Sequence, residues 1–430
     1  MDFSQINKLY GFYLNELKNN ILGFWLPRCE DKDCGGFVNC FDNRGEKLVS
    51  HDKYAWSQGR FVWMFARLAV TEAPIFTKAE REEFLRLAAQ GAKFLMEHSL
   101  MGEEDWRVVF LAERDGTARE VNPGDPLDMS IYADCFVILG LSMYAYAAGD
   151  AAAYAFAKRL YESAVERVEN NDFRTLPYPL SGRFRAHGIP MIFSNTTREL
   201  YRAAKLLDSE DYCENLRTNM ESFTGDILNN FVDENMVLHE ILTSDNKFFP
   251  QILCQHMNPG HTIEDVWFQL DAADICGRAD WEEKIYAVCL KALENGWDKD
   301  FGGILHFSGV NGGQPEGDDT GVADEPMTKQ LSGWADKLWW IHSEALYTTL
   351  LCYFRTGDER FINWHDKVFD YTFRTFPNED PEIREWVQIR KRDGSPQDKV
   401  VALPVKDPFH ITRNLILILE LLYIQREKAR

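Results

Sequence analysis

Apolar residues recur at helical spacing along almost the whole chain, and this pattern limits the available folds more than any other feature. Eleven segments carry apolar side chains at positions i, i+3 and i+4, with Gly, Pro, Asn or Asp near their ends. The predicted helices are Ser4–Leu22, Lys78–His98, Asp128–Ala148, Ala151–Glu169, Asn195–Leu207, Asp211–Phe231, Thr262–Cys276, Ala279–Gly296, Lys337–Thr356, Glu359–Phe376 and His410–Arg426. No run of strands is long enough for a central sheet, so we expect a helical protein.

Short extended segments recur between the predicted helix pairs. They are GGFVNCFDNRG from Gly35, WRVVFLAERDG from Trp106, MVLHEILTSDN from Met236, GGILHFSGVNGG from Gly302 and WVQIRKRDG from Trp386. Most end in the Asn-Gly, Asp-Gly or Arg-Gly turns that are typical of β-hairpins. Their starts lie 71, 130, 66 and 84 residues apart, and the gap of 130 leaves room for one more unit near Asn171–Arg185.

About six units of two helices each predict the fold class. We expect an all-α protein, an (α/α)6 barrel with short β-hairpins in the loops at one end, where the loops build a pocket. An open helical solenoid is the competing arrangement, but it would expose apolar ends, and no segment has the composition of a polar cap. Because no Pro/Gly/Ser linker or low-complexity segment interrupts the chain, residues 1–430 are predicted to form a single domain.

Charge and cysteine content restrict the partners and the compartment. A formal net charge of −21 disfavours nucleic acid and anionic membranes as partners. The nine cysteines are odd in number and form no CxxC pair, which argues against a disulfide framework or a structural zinc site. The N-terminus lacks the pattern of a signal peptide, and the most apolar stretch, Cys135–Ala148, is too short to span a bilayer. We therefore expect a cytoplasmic protein.

The loop Asn258-Pro259-Gly260 precedes His261, and a helix is predicted to start there. Glu264 follows His261 by three residues, so the two share a helix face, where a carboxylate can orient an imidazole and raise its pKa. The alternatives are a structural histidine at a helix start with a capping Glu, or a metal site that also uses His256. The metal alternative lacks the i, i+4 histidine pair of helical zinc sites.

A second histidine, His410, opens the last predicted helix just after Pro408, with Arg413 one turn further on. An imidazole and a guanidinium on one helix face suit a proton-transfer site that also holds a partly negative oxygen. The alternative is a histidine that caps the helix start.

Two aromatic-rich segments supply candidate substrate contacts. In the segment from Lys53 to Trp63, Arg60 is a candidate for gripping sugar oxygens, with Tyr54, Trp56 or Trp63 as walls. The alternative is that the tryptophans belong to the core at helical spacing and that Arg60 forms a buried ion pair. In the segment from Lys337 to Ala345, Trp340 and Glu344 share a helix face. Aromatic residues make up 13% of the chain, which fits either sugar stacking or a large aromatic core.

Motifs for other chemistries are missing. The chain contains no GxxxxGK[ST], GxGxxG or GxSxG sequence, and its Gly-Gly pairs lie in predicted hairpins rather than in strand-to-helix turns. Phosphate cradling is therefore not expected.

The sequence resembles the N-acylglucosamine 2-epimerase family over nearly its whole length. The matching stretches, in the family's order, are GGFVNCFDNRG, KYAWSQGRFVWMFARL, GIPMIFSN, NPGHTIEDVWF, KLWWIHSEAL, EWVQIRKRDG and DPFHITR. The family's fold is an (α/α)6 barrel, which agrees with the repeat count. The resemblance implies that His261 and His410 are the two acid/base residues, that Arg60, Glu264 and Arg413 line the site, and that no redox cofactor is needed. From the residue spacing, no metal is expected either.

Family members invert C2 of a sugar or interconvert aldose and ketose. One neutral imidazole removes the acidic C2 proton of the open-chain aldehyde, cationic groups hold the cis-enediolate, and the second imidazole returns a proton on the opposite face. An unperturbed pKa near 6.5 lets either form of histidine exist at neutral pH. Reprotonation at C1 instead gives a ketose, so an aldose–ketose isomerase with the same site is the alternative.

One departure concerns a third site histidine, which the resemblance places on the helix after the Pro190-Met191 loop in members acting on cellobiose or free mannose. Here that helix carries no histidine, and His187 lies just before the loop as a substitute or a bystander. The pattern of Pro190, Met191 and Asn195 is closer to the N-acylglucosamine branch and adds Asn195 to the expected substrate contacts.

Two rival functions remain at this point. A glycoside hydrolase on the same fold would need two carboxylates flanking the scissile bond, and Asp and Glu are too plentiful to decide the matter. A sugar-binding protein without catalysis is the rival outside enzymes. The partner expected in every case is a small-molecule sugar, and a homodimer is an assembly left open.

Overall fold

The helices form two concentric rings. A computed structural model describes residues 1–429, and within them twelve long helices alternate between an outer and an inner position. The inner ring consists of α3 (Ala55–Ala69), α5 (Ile131–Ala148), α7 (Gly188–Leu207), α9 (Pro259–Cys276), α12 (Trp339–Thr356) and α14 (Phe409–Ala429). The outer ring consists of α1 (Phe3–Asn15), α4 (Lys78–His98), α6 (Ala151–Glu169), α8 (Glu210–Asp226), α10 (Glu282–Gly296) and α13 (Glu359–Thr375).

The inner ring closes on itself. Each inner helix packs against the next in chain order, and α14 returns to pack against α3. Each outer helix packs on the inner helix of its own hairpin, except α1, which packs on α14 and so seals the ring. The predicted (α/α)6 barrel is therefore confirmed, and the open solenoid is ruled out.

Shorter elements complete the chain. A π-helical segment, Glu16–Ile21, joins α1 to the four-residue helix α2 (Leu22–Trp25), and a second one, Ile227–Phe231, follows α8. One-turn 3-10 segments lie at Ala279–Trp281 and Leu331–Gly333, the latter after the short helix α11 (Pro326–Gln330). The predicted helix starting at Ser4 is thus one continuous rod whose hydrogen-bond pattern changes along its length.

Long loops precede every inner helix, and they are joined to one another at one end of the barrel. The strands in these loops are β1 (Lys53–Tyr54), β2 (Leu111–Ala112), β3 (Phe184–Ala186), β4 (Ile241–Thr243), β5 (His256–Met257), β6 (Ser308–Gly309), β7 (Lys337–Leu338) and β8 (Ile389–Arg390). Antiparallel ladders join β1 to β2, β3 to β4, β5 to β6 and β7 to β8. Two further contacts join other loops into a rim. One is a bridge between Ser130 and Thr175, and in the other the Lys406 N–H donates to the Asn39 carbonyl while the Asn39 side-chain amide donates to the Lys406 carbonyl.

One loop structure occurs twice in this rim. The sequence Asp-Lys-Asp-x-Gly-Gly occupies residues 31–36 and again residues 298–303. In the first copy, the ammonium of Lys53 is buried and donates to the Gly35 carbonyl at 2.6 Å, with Asp31 at 3.1 Å. In the second copy, Lys337 donates to the Gly302 carbonyl at 2.6 Å and to Asp298 at 2.9 Å. Each lysine begins a two-residue strand, β1 or β7, that leads directly into an inner helix. We call this arrangement of a buried lysine and a glycine pair the lysine clasp.

The structure differs from the sequence prediction in one helix that was missed and in the start of another. The segment α3 was not among the predicted helices, because its residues are buried on nearly every side and show no polar face. Helix α7 begins at Gly188, seven residues before the predicted start at Asn195. Pro190 had suggested a loop, but it lies in the first turn, where a helix does not need the missing N–H.

Helix α5 is long and apolar enough to cross a membrane by length and composition. Most of it is buried inside the protein, and it packs between α3 and α7 in the inner ring. These contacts identify it as a core helix of the barrel, as predicted for the Cys135–Ala148 stretch. The prediction that the stretch is too short to span a bilayer was wrong for the whole helix, because the helix begins at Ile131.

Candidate active site

The pocket lies where the inner helices begin. All of them contribute lining residues, and the space measures about 1050 Å³ including its open mouth. Its walls are largely aromatic and apolar. The lining includes Trp56, Tyr132, Phe136, Tyr178, Met191, Phe268, Trp339 and Trp340, and residues 401–405 cover one side with Val401, Ala402, Leu403 and Val405. Helix N-termini converge here because the long loops all lie at this end of the barrel.

His261 stands in the first turn of α9. Asn258 caps this helix by accepting the His261 backbone N–H at 3.1 Å, and Pro259 follows at the first helical position. The imidazole Nδ1 lies 2.8 Å from Oε1 of Glu240. When Nδ1–H donates to that carboxylate, Nε2 is left with a lone pair for the pocket.

The carboxylate that orients His261 is Glu240, not the predicted Glu264. Burial alone would raise the pKa of Glu240, but the charge of His261, the hydrogen bond from His261 and the nearby His187 imidazole hold that pKa well below its ordinary value. Glu240 therefore faces His261 as an anion. The prediction failed because spacing along one helix was used to choose a partner that the fold supplies from a different loop.

His410 stands in the first turn of α14 and is also anchored through Nδ1. Its Nδ1 lies 2.7 Å from Oε1 of Glu344, and its Nε2 lies 3.2 Å from Nη2 of Arg60. A guanidinium can only donate, so Nε2 of His410 accepts and carries a lone pair. Burial would raise the pKa of Glu344, but the charge of Arg413 and the bond to His410 lower it to about 2.

Arg413 shares a face with His410, as predicted, but its charge is already matched. Its Nη2 donates to Glu264 and, at 2.5 Å, to Glu344, and it lies 3.3 Å from Nδ1 of His410. Arg413 is buried and lines the floor of the pocket. Arg413 thus holds the carboxylates of Glu264 and Glu344, and Glu344 in turn orients the His410 ring.

The described residues include one set that could hold a metal ion, Glu264, Glu344 and His410, with ligand atoms within 4.8 Å of one another. The Arg413 guanidinium contacts all three, so their ligand atoms already face a cation. His256, proposed with His261 and Glu264 in the metal alternative, instead has its Nδ1 on the Leu253 carbonyl at 2.6 Å. The residues present do not favour a metal here.

Arg60 is the cation that faces the pocket next to His410. It projects from α3, donates to Asp407 and lies over the Phe136 ring at 4.1 Å and the Phe409 ring at 5.0 Å. Burial lowers the pKa of Arg60, although Asp407 opposes that effect. Arginine keeps its charge in proteins, so Arg60 is placed to stabilise negative charge that forms beside His410.

Trp340 connects the two histidines. Its ring centroid lies 5.4 Å from each imidazole, so the imidazoles are no farther apart than twice that distance. Helix α12, which carries Trp340, lies between α9 and α14 in the inner ring. The two imidazoles therefore reach one pocket from two different directions.

The remaining predicted contacts divide into two groups. Trp56 and Asn195 line the pocket, and the buried Asn195 Oδ1 has no hydrogen-bond partner among residues 1–429. Tyr54 does not line the pocket. Its ring packs edge-on against Phe110 at 5.7 Å, because β1 pairs with β2 immediately before α3 begins.

Sequence reasoning missed several residues of the site. Glu240 and Asp407 orient His261 and Arg60, and Tyr132 and Tyr178 form part of the wall. The one available signal for Glu240 is a charge inside the otherwise apolar run VLHEIL, which indicates a buried carboxylate. No local pattern shows that its partner lies 21 residues further along.

Fold and site together define a class, a closed (α/α)6 barrel with two carboxylate-anchored imidazoles in an aromatic pocket. The chain belongs to the N-acylglucosamine 2-epimerase (GlcNAc 2-epimerase) family, whose model matches residues 35–413. The family suggested by the sequence motifs is thereby confirmed.

Individual relatives agree over nearly the whole chain. The N-acylglucosamine 2-epimerase of Mus musculus is 29% identical over 407 residues, which cover 92% of this chain and 88% of that protein. The cellobiose 2-epimerase of Bacteroides fragilis is 26% identical over 405 residues, covering 88% and 90%. The solved structure of cellobiose 2-epimerase from Bacillus thermoamylovorans B4167 aligns with a TM-score of 0.76 at 18% identity over 96% of this chain and 99% of that one.

Proposed function

We propose that this protein is a sugar 2-epimerase that inverts C2 of an N-acylhexosamine. One observation carries the proposal. Two imidazoles, His261 and His410, face one pocket, and each has its Nδ1 on a carboxylate, at 2.8 Å and 2.7 Å respectively. This arrangement leaves two Nε2 atoms for proton transfer to and from the same carbon.

The reaction starts from the open-chain aldehyde, whose carbonyl acidifies the C2 hydrogen. One imidazole Nε2 takes that proton, and the electron pair moves to O1 to give an enolate, which is an enediolate where C2 carries a hydroxyl. The other imidazole, as imidazolium, then gives its Nε2 proton to the opposite face of C2. The carbonyl re-forms and C2 is inverted, with no net oxidation and no group lost.

Arg60 is proposed to stabilise the enolate oxygen. It lies 3.2 Å from Nε2 of His410, so an oxygen bound beside that nitrogen is also beside the guanidinium. Arg413 is less suited to this role because it is paired with two carboxylates, Glu264 and Glu344, whereas among residues 1–429 Arg60 is paired with Asp407 alone. We expect Arg413 to act instead by holding Glu344 against His410.

The N-acyl group of the substrate is supported by two observations. The unpartnered Oδ1 of Asn195 is a hydrogen-bond acceptor that an amide N–H of the sugar can satisfy, since an unpaired buried acceptor is costly. Relatives in mouse and human that are N-acylglucosamine 2-epimerases are 29% and 28% identical to this chain, against 26% and 22% for two cellobiose 2-epimerases.

The test is proton NMR in D2O, with the enzyme incubated separately with N-acetylglucosamine, N-acetylmannosamine, glucose, mannose, fructose and cellobiose. We expect deuterium at C2 together with the 2-epimer, most rapidly for the two N-acetyl sugars. A ketose product would move the assignment to an aldose–ketose isomerase. Failure of every sugar to exchange, with the barrel intact by circular dichroism, would contradict an epimerase and favour a binding protein.

Single histidine variants test the two-base mechanism. His261→Asn and His410→Asn should each lower kcat for epimerisation by about 10²- to 10⁴-fold, the usual range for a lost acid/base group. Because each remaining imidazole still faces one side of C2, each variant should keep C2 exchange with only one of the two epimers. His51→Asn, which changes an exposed histidine, is the matched control and should behave as wild type. Near-normal turnover in either site variant would remove that histidine from the mechanism.

A further inference from the structure

A third imidazole, that of His187, lies behind the pocket and is fully buried. Its Nε2 lies 2.8 Å from Oδ2 of Asp265, and its Nδ1 lies 3.5 Å from Oε2 of Glu240. The other oxygen of Glu240 is the one that holds His261. A chain of contacts therefore runs from Asp265 through His187 and Glu240 to the imidazole in the pocket.

Backbone pairing produces this chain of contacts. Strands β3 and β4 are antiparallel with Ala186 opposite Ile241, so the next position puts His187 opposite Glu240. The backbone N–H of His187 donates to the Glu240 carbonyl at 2.9 Å, which continues the ladder by one step. Asp265 lies one turn after His261 on α9, so the two side chains share a helix face. This face is turned toward the paired segments that carry His187 and Glu240.

The surroundings keep His187 charged. Burial alone would lower its pKa, but the hydrogen bond to Asp265 and the negative charges of Asp265 and Glu240 outweigh burial and raise the pKa of His187 to about 9. Two neighbouring imidazoles behave in the opposite way, because burial lowers the pKa of His256 and lowers that of His306 to about 3.

The other titratable groups near this chain are phenols. Burial raises the pKa of Tyr132, which faces Glu240 from α5, and raises that of Tyr178 to about 12. Both are neutral at the pH at which the histidines titrate. The charges that act on the Glu240 carboxylate from the surrounding elements in that pH range are therefore those of His261 and His187, and Asp265 acts on it through His187.

We propose that His187 is a positioning residue that locks Glu240 against His261 and, as a buried cation, limits how readily His261 takes up a proton. This inference rests on the proposed role of His261 in proton transfer. A base must be unprotonated to accept a proton, and an anionic Glu240 with no counterbalancing charge would favour the imidazolium form of His261. His187 supplies the counterbalancing charge while it stays out of reach of the substrate.

The test compares His187→Gln with Glu240→Gln in NMR titrations of the His261 ring C–H signal without sugar, assigned with His261→Asn. In His187→Gln the midpoint should move up by about 0.5 to 1 pH unit, since a nearby positive charge is gone while the amide can still donate to Asp265. In Glu240→Gln it should move down, because the anion is gone. The acidic limb of kcat/KM for C2 exchange should follow the same directions.

Two further variants keep the test decisive. Asp265→Asn removes the group that holds the His187 charge and should also move the midpoint up, which covers the case in which His187→Gln does not fold. His365→Gln, at a buried histidine of the outer helix α13 that is bound to Tyr13 at 2.9 Å, is the matched control and should leave the midpoint unchanged.

If His187→Gln and Asp265→Asn both fold and the titration midpoint of His261 stays at its wild-type value in each, the inference about His187 is overturned and the proposed function is left intact. Shifted midpoints together with failure of all sugars to exchange at C2 would support the inference about His187 and overturn the proposed function.

Discussion

The charge on His187 makes the free energy of unfolding depend on pH. In the unfolded chain a histidine has a pKa of 6.5, whereas in the folded protein that of His187 is about 9. A group whose pKa is raised by folding stabilises the fold fully below its unfolded pKa, and that stabilisation is lost as the pH rises through the folded pKa. His187 should therefore stabilise the protein below pH 6.5 and cease to do so above pH 9.

We expect the wild-type free energy of unfolding to decline by on the order of 2–3 kcal/mol between pH 6.5 and 9.5 relative to His187→Gln. Urea denaturation at a series of pH values measures this difference. Burial also lowers the pKa of Lys337 to about 8, which acts in the opposite direction above that pH, but it does so equally in both proteins and cancels. The prediction would be contradicted if the free energy of unfolding changed with pH by the same amount in wild type and in His187→Gln.

At the residue scale, the sequence identified the catalytic candidates but not what holds them. His261, His410 and Arg60 lie together in the pocket, as expected from their motifs. Their anchors, Glu240, Glu344 and Asp407, come from other loops and helices, and of these only Glu344 was among the candidates. A sequence motif relates only residues that are close along the chain, whereas the tertiary fold decides which histidine or arginine a buried carboxylate contacts.

At the scale of elements, prediction succeeded where a helix has marked ends and one polar face. The bounds Lys78–His98 and Ala151–Glu169 agree with α4 and α6, whose starts are capped by Thr77 and Asp150. Helix α3 has no such contrast, since every residue from Ala55 to Ala69 except Arg60 is buried. A helix with so little contrast between its faces is therefore harder to recognise by periodicity, although the other five inner helices were predicted.

The tight contact between α3 and α5 depends on glycine. A Cβ on Gly59 would lie 2.1 Å from the Phe136 carbonyl oxygen, and one on Gly140 would lie 2.4 Å from the Gly59 oxygen. Gly59→Ala should destabilise the protein by about 3 kcal/mol, because backbone atoms cannot move aside as a side chain can. It should also weaken catalysis, since Arg60 is the next residue.

Chemical denaturation monitored by tryptophan fluorescence measures this effect. Gly11→Ala is the matched control, since Gly11 is an exposed residue of α1 and a Cβ there meets nothing within 4 Å. That variant should stabilise the protein slightly, by about 0.5 to 1 kcal/mol, because alanine is the better helix former. Equal stability of the two variants would show that the rings tolerate a wider spacing.

At the scale of the whole molecule, the closed ring of helices does not require the chain to begin at α1 and end at α14. Helix α1 starts, and α14 finishes, at the end of the barrel opposite the pocket, where short turns such as Gly149-Asp150 join inner to outer helices. A permuted chain that starts at Asp150, with a flexible linker between residues 430 and 1, should fold and keep C2 exchange within a few-fold of wild type.

Size-exclusion chromatography, circular dichroism and the D2O assay check this permutant. An aggregated or molten product would show that the α1–α14 contact must form first for the ring to close. The repeat count predicted the closed ring from sequence, because each unit brings its own hairpin loop and its own helix pair. The joining of those loops into a rim was not predictable, since the strands that do it are only two or three residues long.

The lysine clasp has a consequence for how this protein can change over generations. In each copy a buried lysine holds a carbonyl of a glycine pair whose φ angles lie between 66° and 77°, values that other residues adopt only with strain. The base of the loop is thereby constrained, while the residues beyond it differ widely between the copies, FVNCFDNRG in one and ILHFSGVNGG in the other. The loop sequence can therefore diverge beyond the glycine pair without loss of the backbone frame that the buried lysine fixes.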